Sequence, residues 1–209
     1  LPPQSSARFD PGTDEWTVLP IPEHESSFEF SGTLEVGSTG VALWTYEKPD
    51  EGPYVYALES GASDWGPGLR FSGDAVDGWN FRALESDRQG NFLFVSTVEG
   101  EGSDWTSSRF FDAADLAWSD EVVITEGHYF SSPLLGFDLA GNGLLVNEFD
   151  SPDDGFVAWR RFDGQSKTWG PEEEPIEIQG RMVLSVAANG DAVLAARAAA
   201  DALRGAPIP

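Results

Sequence analysis

The chain has 209 residues, and its 36 acids against 12 lysines and arginines give a net charge of −24, the wrong sign for nucleic acid or for an anionic membrane surface. It is long enough for one or two domains with a sizeable core, and no apolar run approaches the ~20 residues of a membrane span. Cysteine is absent, which removes disulfides, thiol catalysis and cysteine metal sites, while 40% hydrophobic residues with 8 Trp and 14 Phe mark a folded chain.

The chain begins at Leu1 rather than Met, so a signal peptide or an upstream region is expected to have been removed. After a polar start, residues 5–10 read as a strand and Pro11-Gly12-Thr13-Asp14 as a turn, with a second strand over 16–19. Strands over 30–36 and 41–46 flank a Gly37-Ser38-Thr39-Gly40 turn, and an acidic turn leads to a strand over 54–58. The next strands are expected over 65–71, 81–86, 91–98 and 105–111. After Trp118 comes a polar run with aromatics, then strands over 134–139, 143–146 and 156–162. Trp169 opens a connector rich in proline and glutamate, followed by strands over 182–187 and 192–196. The lengths, the alternation and the Gly, Asn or Asp turns are hairpin signals. Only residues 198–204 look helical, and a helix that short is marginal, so 198–209 reads as a tail.

These elements repeat. Trp16, Trp65, Trp118 and Trp169 lie 49, 53 and 51 residues apart, and Gly40, Gly90, Gly141 and Gly190 lie 50, 51 and 49 apart. Six residues before each glycine stands Leu34, Leu84, Leu135 or Leu184; six before each tryptophan stands Asp10, Glu59, Asp112 or Asp163. Four strands, A to D, per ~50-residue repeat is the pattern of a β-propeller blade. Four A–B pairs are present but only three C–D pairs follow them, and residues 5–19 supply the missing pair. The expected fold is therefore all-β: one domain over 1–197, a propeller of four ~50-residue four-stranded blades. The blades are about 21–71, 72–123, 124–175, and 176–197 with 5–20, the ring closing through the N-terminal strands so that no edge stays unpaired.

Within the repeat, Phe9-x6-Trp16, Phe111-x6-Trp118 and Phe162-x6-Trp169 resemble the aromatic pair of kelch repeats. The kelch double glycine is missing, and the turns Asp87-x-x-Gly90-Asn91 and Asp138-x-x-Gly141-Asn142 are similar to those of other bacterial secreted propeller repeats. The resemblance implies the fold and a secreted or surface location, extracellular or periplasmic. It leaves activity open, because propellers host binding, scaffolding and catalysis alike.

The repeated tryptophans and leucines are expected to pack between blades, and the acids before the tryptophans to cap turns. Catalytic signatures are sparse. The two histidines, His24 and His128, stand in no nucleophile-elbow, phosphate-loop or metal motif. A glycosidase needs only two well-placed carboxylates, so a carbohydrate-active enzyme stays open beside a structural subunit of a larger assembly. The first reading is a non-enzymatic module binding a glycan or protein through the face formed by the D–A and B–C loops. Its candidate ligand residues are Phe28, Trp79, Asn80, His128 and Tyr129, aromatics and amides outside the positions needed for packing. Asp150, Asp153 and Asp154 on the same face could offer oxygen ligands to calcium, with no other cofactor expected. If the strand A leucines enter the blade interfaces, alternation turns Glu35 and Glu85 toward the axis, where the pair calls for water, a cation or a proton.

Overall fold

The computed structural model describes residues 5–10, 12–20, 32–48, 52–70, 79–98, 105–126, 133–148, 156–178 and 181–197, and all regular structure among them is strand. β1 (Ser5–Asp10) and β2 (Glu15–Pro20) form a hairpin. β3 (Leu34–Val36), β4 (Ala42–Lys48), β5 (Gly52–Leu58) and β6 (Leu69–Arg70) make a first four-stranded sheet in that order. The second sheet contains β7 (Trp79–Ser86), β8 (Phe92–Val98), β9 (Trp105–Asp112), β10 (Ala117–Trp118) and β11 (Val122–Glu126), the last two both pairing with β9. β12 (Leu134–Phe137), β13 (Gly143–Glu148), β14 (Phe156–Asp163) and β15 (Thr168–Glu177) form the third sheet, and β16 (Arg181–Val186) with β17 (Ala192–Arg197) the final hairpin. The A-B-C-D unit thus occurs three times, flanked by a C–D hairpin and an A–B hairpin.

The turn chemistry repeats with the strands. Gly40, Gly90, Gly141 and Gly190 take φ of 81°, 89°, 84° and 86°, the left-handed region that a side chain would strain. Asp87 Oδ1 accepts the N–H groups of Gln89 and Asn91 while Oδ2 accepts the Asn91 amide, and Asp138 does the same with Ala140 and Asn142. The C–D turns are capped by the acids before the tryptophans: Asp112 accepts from Ala114 and Asp115, and Asp163 from Gln165 and Ser166. Successive A–B turns also touch, through Ser38 Oγ to Arg88 O (2.8 Å) and Leu139 N to Ala188 O (3.0 Å).

Sheets pack face to face. Val41, Leu43 and Val55 of the first sheet meet Leu84, Phe92, Phe94 and Phe111 of the second, whose other face sends Leu93, Val95, Phe110 and Ile124 against Leu135, Leu145 and Phe162 of the third. Because β8 is covered on both faces, it reads as the unbroken apolar run Phe92-Leu93-Phe94-Val95. Trp118 packs on Phe111 at 5.0 Å and Trp169 on Phe162 at 5.2 Å, each pair filling the seam with the preceding sheet. Trp169 Nε1 donates to Ser108 Oγ across that seam, and Trp65 Nε1 donates likewise to Ser6 Oγ of the N-terminal hairpin.

Four expectations are corrected. The ring is not closed: β1–β2 and β16–β17 remain separate two-stranded sheets, and the expected pairing of residues 5–19 beside 192–196 is not made. Instead, Leu19 docks the N-terminal hairpin on Ala42 and Leu58 of the first sheet. Trp16 and Leu34 are not core; they are 68% and 56% exposed, since both face the flank that lacks a neighbouring sheet among the described residues. The proline- and glutamate-rich connector is the strand β15, which tolerates Pro171 and Pro175 as an edge strand. Residues 122–126, where no strand was expected, form β11, whose register shifts between Val123 and Thr125. Residues 198–204 lie outside the described residues.

Candidate functional site

The titratable pair singled out above sits on the first strands of two neighbouring sheets. Glu35 pairs in register with Leu43 and Glu85 with Leu93. Side chains alternate along a strand, so Glu35 lies on the face of β3 opposite Leu34, toward β7. There the Ser86 hydroxyl donates to Glu35 Oε1 at 2.9 Å. Glu85 is half-buried, and that burial, reinforced by the charge of Glu35, pushes its carboxyl from 4.5 up to about 7. Near pH 7 the Glu85 carboxyl is therefore only partly ionised. Both side chains stay part-exposed, so a solute can reach them.

The sign of this shift yields a stability prediction. Folded Glu85 holds its proton more tightly than the unfolded chain does. Its contribution is complete below pH 4.5 and lost as pH rises through about 7. Such a shift corresponds to roughly 3 kcal/mol unscreened, and solvent screening at a half-exposed group reduces it to about 1–2 kcal/mol. Glu85→Gln is therefore expected to match the wild type near pH 4.5 and exceed its stability by that amount at pH 8. Thermal melts of both proteins across this window check it, and parallel curves would show that Glu85 titrates normally.

Trp79 and Asn80 open β7 rather than standing in a loop; Trp79 pairs with Val98 beside a register shift before Phe81, and the two side chains lie outside the described residues. Phe28, His128, Tyr129, Asp150, Asp153 and Asp154 lie outside them as well. No group of three or more metal-ligating side chains occurs among the described residues. Ser86 was not among the expected site residues. Its signal was legible, since its position next to Glu85 puts it on the opposite face of β7, toward β3.

A concavity lies between β14–β15 and β16–β17, with a volume of about 900 Å³. Leu144, Val146, Trp159, Leu184, Val186 and Leu194 supply its apolar lining, and the Arg161 guanidinium stands 5.4 Å over the Trp159 ring.

No protein-family model matches the chain, and no curated protein matches it in sequence. Among solved structures it is similar to an endo-arabinase from Bacteroides thetaiotaomicron, at a TM-score of 0.49 and 10% sequence identity, covering 86% of this chain and 75% of that one.

Proposed function

We propose that the protein is a propeller-type, carbohydrate-active enzyme that hydrolyses a glycosidic bond at the Glu35–Glu85 pair. The observation that carries this reading is a half-buried carboxyl, Glu85, pushed up to about 7 by burial and by the nearby charge of Glu35, whose own carboxylate accepts a hydrogen bond from Ser86. Glycosidic cleavage uses one carboxylic acid to protonate the leaving oxygen and one carboxylate to activate water or attack the sugar. Glu85 takes the first role and Glu35 the second, with Ser86 orienting the Glu35 carboxylate. Trp79, Asn80, Phe28, His128 and Tyr129 are proposed to contribute sugar subsites. The fold part of the proposal is a set of four propeller blades, the last of which has β16–β17 as its inner half and a β1–β2 hairpin as its outer half. A secreted or surface setting suits a glycan substrate, and no helix among the described residues is long and apolar enough to cross a membrane.

Screening polysaccharides and aryl glycosides tests the reading. Turnover is expected on at least one substrate class, falling as pH rises through about 7 while Glu85 loses its proton. Glu85→Gln and Glu35→Gln should each lower kcat about 100- to 10,000-fold with the fold intact. The anomer released first, read by NMR, shows whether Glu35 acts as nucleophile or as base. Glycan binding without turnover, unchanged in Glu85→Gln, would replace this reading with a non-enzymatic binding module. No turnover and no binding would remove carbohydrate altogether.

A further inference from the structure

The repeat says what fits the cleft between β14–β15 and β16–β17. In the second sheet, Phe111 and Trp118 fill the seam against Val41, Leu43 and Val55; in the third, Phe162 and Trp169 fill the seam against Leu93, Val95 and Phe110. The surface that would receive the next such pair, Leu144 and Val146 of β13 with Val186 and Leu194 of the last hairpin, lines the cleft. The β1–β2 hairpin carries a further Phe-x6-Trp pair, with the two rings 5.3 Å apart like the others. Its Phe9, Trp16 and Val18 are 42%, 68% and 70% exposed, whereas Phe111 and Phe162 are 1% and 3% exposed. Leu34 and Val36 beside the N-terminal hairpin, and Val183 and Val193 on the last hairpin, are also more than half exposed. Each end of the row of sheets thus presents the surface that the other end would cover.

We propose that the cleft and the outer edge of β17 receive the β1–β2 hairpin of a second copy of this chain, linking copies head to tail. This rests on the blade assignment made above and adds that the outer half-blade comes from a neighbouring molecule. Within one copy the β1–β2 hairpin is already seated on the first sheet, through Leu19 and the Trp65–Ser6 bond, with its aromatic face turned outward. Bringing the two ends together within one copy would bend the row at the seams around Phe92, Phe94, Phe111 and Leu145. Close-packed seams of this kind resist such change. Joining two copies leaves every seam as it is. Such an interface is heterologous, and copies link into closed rings or open chains according to the rotation between them. With −24 on each copy the charges oppose association, so salt should favour it.

A cysteine-free chain makes the test direct. In the second sheet Ser96 pairs with Ser107, their hydroxyls 3.2 Å apart, and the repeat puts Ala196 and Ser5 at the corresponding positions. A chain carrying Ala196→Cys, mixed with one carrying Ser5→Cys and oxidised, should give a covalent dimer of the two different chains. Light scattering should show masses above the 22.6 kDa monomer, rising between about 0.15 M and about 1 M salt. Trp16→Glu, at a side chain exposed in the single copy, should abolish both signals while leaving the melting temperature of the dilute protein unchanged. A disulfide formed only within single chains carrying both cysteines would overturn exchange between copies and keep the blade assignment. A monomer at all salt concentrations with no disulfide in either format would overturn both. Glycan turnover is measured separately, so the enzymatic reading stands or falls on its own result.

Discussion

Phe111→Ala is expected to cost about 3–5 kcal/mol, a large share of the 5–15 kcal/mol that holds a domain of ordinary stability together. The ring is 1% exposed and sits at the seam of the first and second sheets, 6.0 Å from Phe92 and 5.0 Å from Trp118. Removing it takes away the transfer free energy of a large side chain. It also leaves a cavity whose walls, Val41, Leu43 and Val55 on one side and Phe94 on the other, belong to two sheets held in register by hydrogen bonds. Those walls can close only by moving whole sheets. Phe9 occupies the corresponding repeat position at 42% exposure, so Phe9→Ala should cost less than about 1 kcal/mol in dilute protein. Urea denaturation of the two variants, at concentrations where copies do not associate, reads the contrast. Equal losses would mean that the seam around Phe111 is not packed as described.

Asp87→Ala should cost about 3 kcal/mol and Asp138→Ala about 1 kcal/mol, although both acids stand in the same turn with the same three hydrogen bonds. The difference lies in what replaces the carboxylate. Asp87 is 5% exposed, so its loss strands the amide groups of Gln89 and Asn91 where water enters with difficulty. Asp138 lies nearer solvent, and water can take over the vacated donors. Asp87→Asn, which keeps one acceptor oxygen, should recover part of the loss. Melting temperatures of the three variants rank the effects, and a larger loss at Asp138 would show that burial does not decide the energetics of this turn.

The strand plan, the turns and the apolar face of each inner strand were legible before any coordinates, because they depend on neighbours in sequence. A left-handed glycine two residues before a buried strand, an acid capping its own turn, and side chains alternating across a strand are local consequences of backbone geometry. The same alternation singled out Glu35 and Glu85. What the residues alone could not decide is what stands on each sheet's far side. Phe9-x6-Trp16 and Phe111-x6-Trp118 share one pattern, yet one pair is exposed and the other fills a seam. Leu34 and Leu84 differ likewise, at 56% and 4% exposure, since only Leu84 has a sheet packed against it. Two prolines hid β15 in the sequence because proline is excluded from central strands, and only the sheet order shows that this strand is an edge. The proton on Glu85 also belongs to the tertiary structure. It depends on burial between sheets and on the charge of a residue 50 positions earlier, which a linear pattern places near the same axis but cannot bring within electrostatic reach.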